Sequence, residues 1–121
     1  FPYADHKSYG AQIKKGLMDF LISAPIVALV AEGVGAIALI RKLVGATEPA
    51  SADPGTIRGD YSHDTYALSN AQDRPLRNLI HASGAVGEAE AEIKVWFTEV
   101  ELYAYEHVSD GVQYDPEWFR S

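Results

Sequence analysis

The stretch that most limits how this chain folds is residues 20–40, which carry a single charge, Glu32, in 21 positions. By length and polarity alone, such a run could cross a bilayer as one helix. Pro25, Glu32, Gly33 and Gly35 cut it into pieces. Proline removes an amide donor and pushes the residue before it out of the helical region, and closely spaced glycines favour a turn. The run therefore reads as the end of one helix, a short strand and the start of a second helix, and not as a membrane span. On the first side, Ile13, Leu17, Phe20 and Leu21 fall at helical spacing, which predicts a helix over 11–22 after a loop or ragged helix at 3–9. The apolar, β-branched run 26–30 (IVALV) predicts a buried strand. Ile37, Leu39, Ile40, Leu43 and Val44 predict a helix over 35–44, with Gly45 where a left-handed, helix-ending residue belongs.

Residues 46–77 read as a long irregular stretch, with Pro49, Pro54, Gly55, Gly59 and Pro75 among many small polar residues. Loops of that length are uncommon in compact domains and are usually functional or mobile. Asn78-Leu79-Ile80-His81 reads as a short strand and Ala82-Ser83-Gly84 as a turn. A helix over 86–97 follows, with Ala89, Ile93, Trp96 and Phe97 on its apolar face. The tail 98–121 is acidic and aromatic, with Tyr103, Tyr105, Tyr114, Trp118 and Phe119, and is expected to wrap the surface or a neighbouring subunit. The order is helix, strand, helix, long loop, strand, helix, tail: an α/β chain of 121 residues, one domain long. Two strands make no stable sheet alone, which leads us to expect earlier strands outside this sequence.

Charge and cysteine content narrow the function. With 17 Asp and Glu against 10 Lys and Arg, the net charge is −7, which argues against gripping a nucleic-acid backbone by bulk charge. A small anion held by a few local arginines stays possible. There is no cysteine, so thiolate metal sites, disulfides and a cysteine nucleophile are excluded. No basic-then-apolar leader follows Phe1-Pro2, so a cytoplasmic location is the expectation.

Four groups of residues carry possible chemistry. Gly33-Val34-Gly35-Ala36-Ile37-Ala38 matches a dinucleotide-binding fingerprint, with Asp53 at the right distance, but the turn-like ATEPASAD at 46–53 replaces the second strand that fingerprint needs. The glycines read as an ordinary turn between strand and helix. Asp60, His63 and Asp64 could hold a metal weakly, although a solvated loop explains them as well. His81 ends an apolar run and precedes small residues and a helix N-terminus, a place where anions bind. It reads either as a phosphate nucleophile or as a structural histidine. Arg41, Thr47, Thr56 and Arg58 offer guanidinium and hydroxyl donors suited to phosphate oxygens, or they are surface groups on a turn.

Four stretches together carry a resemblance: residues 25–33 (PIVALVAEG), 41–47 (RKLVGAT), 54–60 (PGTIRGD) and 78–83 (NLIHAS) followed by Glu92. They resemble the nucleoside diphosphate kinases. The resemblance implies a ferredoxin-like antiparallel sheet with helices packed on it, in an α+β arrangement. It implies a single domain over 1–121 whose N-terminal strand, with its Lys-Pro-Asp segment, has no counterpart here. It makes 61–77 a loop insertion, serving as a lid or subunit contact, and 98–121 a C-terminal tail.

The same resemblance implies roles. His81 would carry the phosphate, with Glu92 and Ser83 beside its ring. Arg41, Thr47 and Arg58 would bind nucleotide phosphates, and Asn78 the sugar. Ile13 and Leu17 would pack the base, Ile13 standing where the family usually has Phe, and Tyr3 would match the family's active-site Tyr. Gly84 replaces an acidic residue that usually follows the histidine. Mg²⁺ would arrive on the nucleotide phosphates. The expected reaction is ping-pong transfer of a γ-phosphate from ATP or another nucleoside triphosphate to a nucleoside diphosphate, through phosphohistidine. The expected partners are those nucleotides and further copies of the chain in a tetramer or hexamer, with no membrane and no specific nucleic acid. The alternative is a catalytically weak nucleotide-binding or assembly module of the same fold.

Overall fold

The computed structural model describes residues 6–117. Helix α1 (His6–Leu21) begins earlier than the sequence pattern suggests, absorbing part of the expected ragged start. Residues 25–32 then run without regular secondary structure to the left-handed Gly35, the N-cap of α2 (Ala36–Val44). The glycines at 33 and 35 thus serve a turn, and Asp53 is used in the next loop, where its carbonyl accepts the Thr56 hydroxyl at 2.6 Å. No dinucleotide fold forms around them among the described residues. Helix α2 ends at Gly45, as expected, with φ 87°. A Cβ there would lie 2.5 Å from the Thr56 hydroxyl oxygen, so space and backbone both require glycine.

The long stretch 46–77 is more ordered than its composition suggests. It holds a short 3-10 turn (Pro49–Ser51), α3 (Ile57–Tyr61) and α4 (Tyr66–Ala71). Each helix is capped by a threonine. Thr56 accepts the Gly59 amide at 3.1 Å and Thr65 accepts the Leu68 amide at 3.0 Å. Glu48 ties the two ends of this stretch, its carboxylate accepting the Tyr66 amide at 2.9 Å. The segment read as an insertion, 61–77, therefore contains a helix and is closed by an ion pair. Both oxygens of the buried Asp64 take the Arg74 guanidinium fork, at 2.6 and 2.8 Å. Asp64 is thereby spent on structure, and no group of three or more potential metal ligands forms among the described residues.

Helix α5 (Val86–Trp96) ends one residue short of expectation, followed by a 3-10 turn (Glu99–Glu101) and α6 (Asp110–Tyr114). No strand is present among the described residues. The segment 26–30, expected as a buried strand, has no regular secondary structure and lies open, with Val27 86% and Leu29 85% exposed. The expected strand at 78–81 is interrupted by a turn at Leu79, whose φ of 67° no strand residue adopts. No helix among the described residues is long and apolar enough to cross a membrane.

What is buried lies between α2, α3 and the loop 45–80. Val44 is 2% exposed, and the other well-buried side chains there are Pro49, Arg58, Asp64 and Ser69. A centre made of proline, serine and an arginine is held by directional bonds more than by apolar burial. Arg58, 8% exposed, is its hub. Its guanidinium donates to three backbone carbonyls: Gly45 at 3.0 Å, Asn78 at 3.1 Å and Ile80 at 2.6 Å. One side chain thus joins the end of α2, the start of α3 and the segment leading to His81.

Candidate active site

The segment before His81 is aimed by backbone strain. The Ile80 amide donates to the Asn78 carbonyl at 2.8 Å, closing a three-residue turn around Leu79. With φ at +67°, a branched residue is held in a conformation that favours glycine. Such strain persists only where surrounding bonds over-determine it. Here the bonds are those of Arg58, which grips the carbonyls on either side of Leu79. The turn throws the chain outward, and His81 emerges exposed at the mouth of α5.

Helix α5 supplies the acids. Glu88 and Glu92 are four residues apart and share one face. Glu88 accepts the Gly84 amide, fixing the loop at the helix entrance. Glu92 turns one oxygen to each of two partners. Its Oε1 lies 2.8 Å from His81 Nε2, and its Oε2 accepts the Ser83 hydroxyl at 2.6 Å. The Ser83 hydroxyl holds the Glu92 carboxyl below the usual carboxylate range, burial opposes the shift, and the His81 contact adds to it. An ionised carboxylate only accepts hydrogen bonds, so the proton is assigned to Nε2 of His81. The lone pair then resides on Nδ1, which has no hydrogen-bond partner among the described residues. The imidazole is oriented from behind and open in front.

Two cations stand beside it. Arg41, from the last turn of α2, donates to the Ala82 carbonyl at 3.2 Å. Arg58 reaches Ile80. The Arg58 pKa is lowered by burial and then by the neighbouring Arg41 charge, which places the two guanidinium groups in one field. Of five N–H donors on a guanidinium, three on Arg58 are taken by carbonyls, which leaves two. Two like charges beside an exposed imidazole suit an anionic ligand.

The structure thus brings together His81, Ser83, Glu92, Arg41, Arg58 and the Asn78 backbone. Thr47 is exposed in the turn after α2, and Leu17 is exposed on α1; neither has a hydrogen bond to the cluster among the described residues. Tyr3 and the side chain of Ile13 lie outside the described residues, as do Trp118 and Phe119 of the tail. Two contributors had no place in the sequence reading. Glu88 was legible as an acid four residues before Glu92. The strained turn at Leu79 had no signal, because Leu-Ile resembles a strand.

Residues 2–102 match the family described as "Nucleoside diphosphate kinase". The chain belongs to the nucleoside diphosphate kinase family. The nucleoside diphosphate kinase of Pyrobaculum aerophilum is 48% identical over 98 residues, covering 81% of this chain and 54% of the relative. A crystal structure of an NDP kinase from Pyrobaculum aerophilum superposes with a TM-score of 0.77 at 47% identity, over 78% of this chain and 52% of that one. A Borrelia burgdorferi nucleoside-diphosphate kinase, described as a transition-state mimic with bound vanadate and ADP, gives a TM-score of 0.63 at 42% identity, over 66% of this chain and 48% of that one. A halophilic member from Halobacterium salinarum, in complex with CDP, gives 0.66 at 33% identity, over 88% and 68% of the two chains. This family member spans about half the length of the curated relatives it matches, 54% and 55% for two of them.

Proposed function

We propose that the chain carries the phosphoryl-transfer site of a nucleoside diphosphate kinase, with His81 as the group that accepts the phosphate. The observation that carries this reading is the His81–Glu92–Ser83 arrangement, in which Nε2 is tied back and Nδ1 faces outward. The Nδ1 lone pair forms a bond to the γ-phosphorus of a nucleoside triphosphate. The bond from that phosphorus to the β–γ bridging oxygen breaks, and its electron pair leaves with the diphosphate. Positive charge developing on the ring is met by Glu92 through Nε2–H. In the second half, an oxygen of a different nucleoside diphosphate takes the phosphoryl group and the ring returns to its neutral form. Such reactions ask alignment and charge balance of the protein more than covalent chemistry.

In this reading Arg41 and the two remaining N–H donors of Arg58 hold phosphate oxygens, with Thr47 adding a hydroxyl and Asn78 reaching the sugar. Ile13 and Leu17 pack the base, and Tyr3 belongs to the same site. Apolar packing on a base face, without bonds to its edge, tolerates every base. The ADP and CDP bound by two relatives, a purine and a pyrimidine, support that tolerance. The cluster's donors are cations and hydroxyls, a set that fits phosphate oxygens and not a metal. Mg²⁺ therefore fits as an ion held by the nucleotide's own phosphates, where it would neutralise charge. The ferredoxin-like sheet, assembly into a tetramer or hexamer and a cytoplasmic location belong to the same proposal. The exposed Val27 and Leu29 support the sheet, since they are apolar surface that such a sheet and its packing would cover.

The test is nucleotide exchange. Incubation of the protein with ATP and CDP should yield ADP and CTP, with parallel lines in double-reciprocal plots, the signature of a ping-pong reaction. Lines that converge would mean direct transfer between two bound nucleotides and would remove the need for a histidine carrier.

A further inference from the structure

We propose that Asp64 is a positioning residue for phosphoryl transfer, fixing through Arg77 the backbone that leads into His81. The inference rests on the reading of His81 as phosphate acceptor and gives the segment 61–77 a part in that chemistry. Asp64 is buried and its two oxygens receive four donors. Two come from the Arg74 fork, at 2.6 and 2.8 Å, one from the Thr65 amide at 3.0 Å, and one from the Arg77 amide at 2.8 Å. The Arg77 carbonyl is held in turn by the Ser62 hydroxyl at 3.1 Å. The start of the segment, Ser62 and Asp64, thus grips both peptide units of a residue at its end.

That grip lies one residue before the strained turn. From Arg77 onward the backbone is pinned at the 77 amide and carbonyl, the 78 carbonyl, the 80 amide and the 80 carbonyl. Leu79 sits inside this set with φ at +67°. Arg58 holds the carbonyls on both sides of Leu79, and Asp64 with Ser62 anchors the residue just upstream of the turn. A left-handed leucine is kept only where the surrounding bonds over-determine it, so loss of the Arg77 anchor weakens that hold and loosens the chain two residues ahead of His81. The Arg74 hydrogen bonds, with the Arg77 amide, hold the Asp64 carboxyl far below the usual carboxylate range, so it stays an acceptor throughout the pH range of an assay.

The experiment compares wild type with Asp64→Ala, Arg74→Ala and Ser62→Ala, each counted per folded molecule by circular dichroism. It reads the single-turnover rate of phosphoenzyme formation from ATP, KM for ADP, and the ¹⁵N shifts of the His81 ring. Asp64→Ala is expected to slow phosphorylation about 10- to 100-fold, the scale of a misplaced reacting group, with KM for ADP changed less than about twofold. Arg74→Ala leaves the Asp64–Arg77 bond in place and should slow the step less. Ser62→Ala should slow it a few-fold with little change in melting temperature, and the His81 ring shifts should move in Ser62→Ala and Asp64→Ala. Wild-type rates in Ser62→Ala and in folded Asp64→Ala overturn the proposal. Rate losses in Asp64→Ala and Arg74→Ala that only follow their loss of stability overturn it equally. If Asp64→Ala does not fold, the Ser62→Ala rate and ring shifts decide alone. Absence of a phosphoenzyme in wild type is a different result: it removes the reading of His81 itself, and is recognised because no variant is involved.

Discussion

Replacing Arg58 by lysine separates the structural task of this arginine from its task toward phosphate. In the structure the guanidinium spans three carbonyls that lie in three directions, at Gly45, Asn78 and Ile80. A lysine keeps the charge but offers one ammonium at the end of a flexible stem, so it reaches one of these carbonyls well. Two charge-assisted bonds are lost, at about 1.5 kcal/mol each by the lower end of the usual range, for a total of about 3 kcal/mol. For a chain of this length that corresponds to a fall in melting temperature of about 10–15 °C. Thermal unfolding followed by circular dichroism measures it. Arg41→Lys is the control, since Arg41 is exposed and makes one bond, to Ala82 at 3.2 Å; its stability should change by less than about 0.5 kcal/mol. A melting temperature for Arg58→Lys within about 2 °C of wild type would refute the idea that this residue is the hub of the fold.

Other substitutions test other joints. Gly45→Ala adds a methyl group 2.5 Å from the Thr56 hydroxyl at φ 87°, and should destabilise the chain by about 1–3 kcal/mol in urea titrations. Glu92 has a lowered folded-state pKa, so its contribution to stability is full above its unfolded value of about 4.3 and is lost as pH falls through the lower folded value. Ser83→Ala removes the leading cause of that shift. The Glu92 carboxyl should then titrate closer to its ordinary range in ¹³C spectra, and the fall in stability below about pH 4.3 should become shallower.

How much of this was readable beforehand depends on what fixed each element. Helices α2 and α5 were legible because their apolar periodicity and the glycine at 45 act locally. His81, Ser83 and Glu92 were legible as a pattern, and the structure gives that pattern bonds. The stretch 46–77 looked irregular because α3 and α4 are too short for periodicity to register, although Thr56 and Thr65 sit where helix caps belong. Leu79 was misread as strand because its conformation opposes its own preference and is imposed by Arg58, 21 positions earlier in the chain. Arg58 itself looked like a surface phosphate ligand; only the folded chain reveals that three of its donors face carbonyls. The Asp64–Arg74 pair joins residues ten apart in a segment without pattern, so nothing local announced it.

The central claim is that one imidazole nitrogen of His81 is free to take a phosphoryl group while the other is tied to Glu92. The most direct measurement is ³¹P and ¹⁵N spectroscopy of the protein after brief exposure to ATP, with His81→Ala beside it. The account predicts an acid-labile, alkali-stable phosphoramidate on Nδ1 of His81 in the wild type, discharged by added nucleoside diphosphate, and no signal in the variant. A phosphate on Nε2, or a label that persists in His81→Ala, would contradict it.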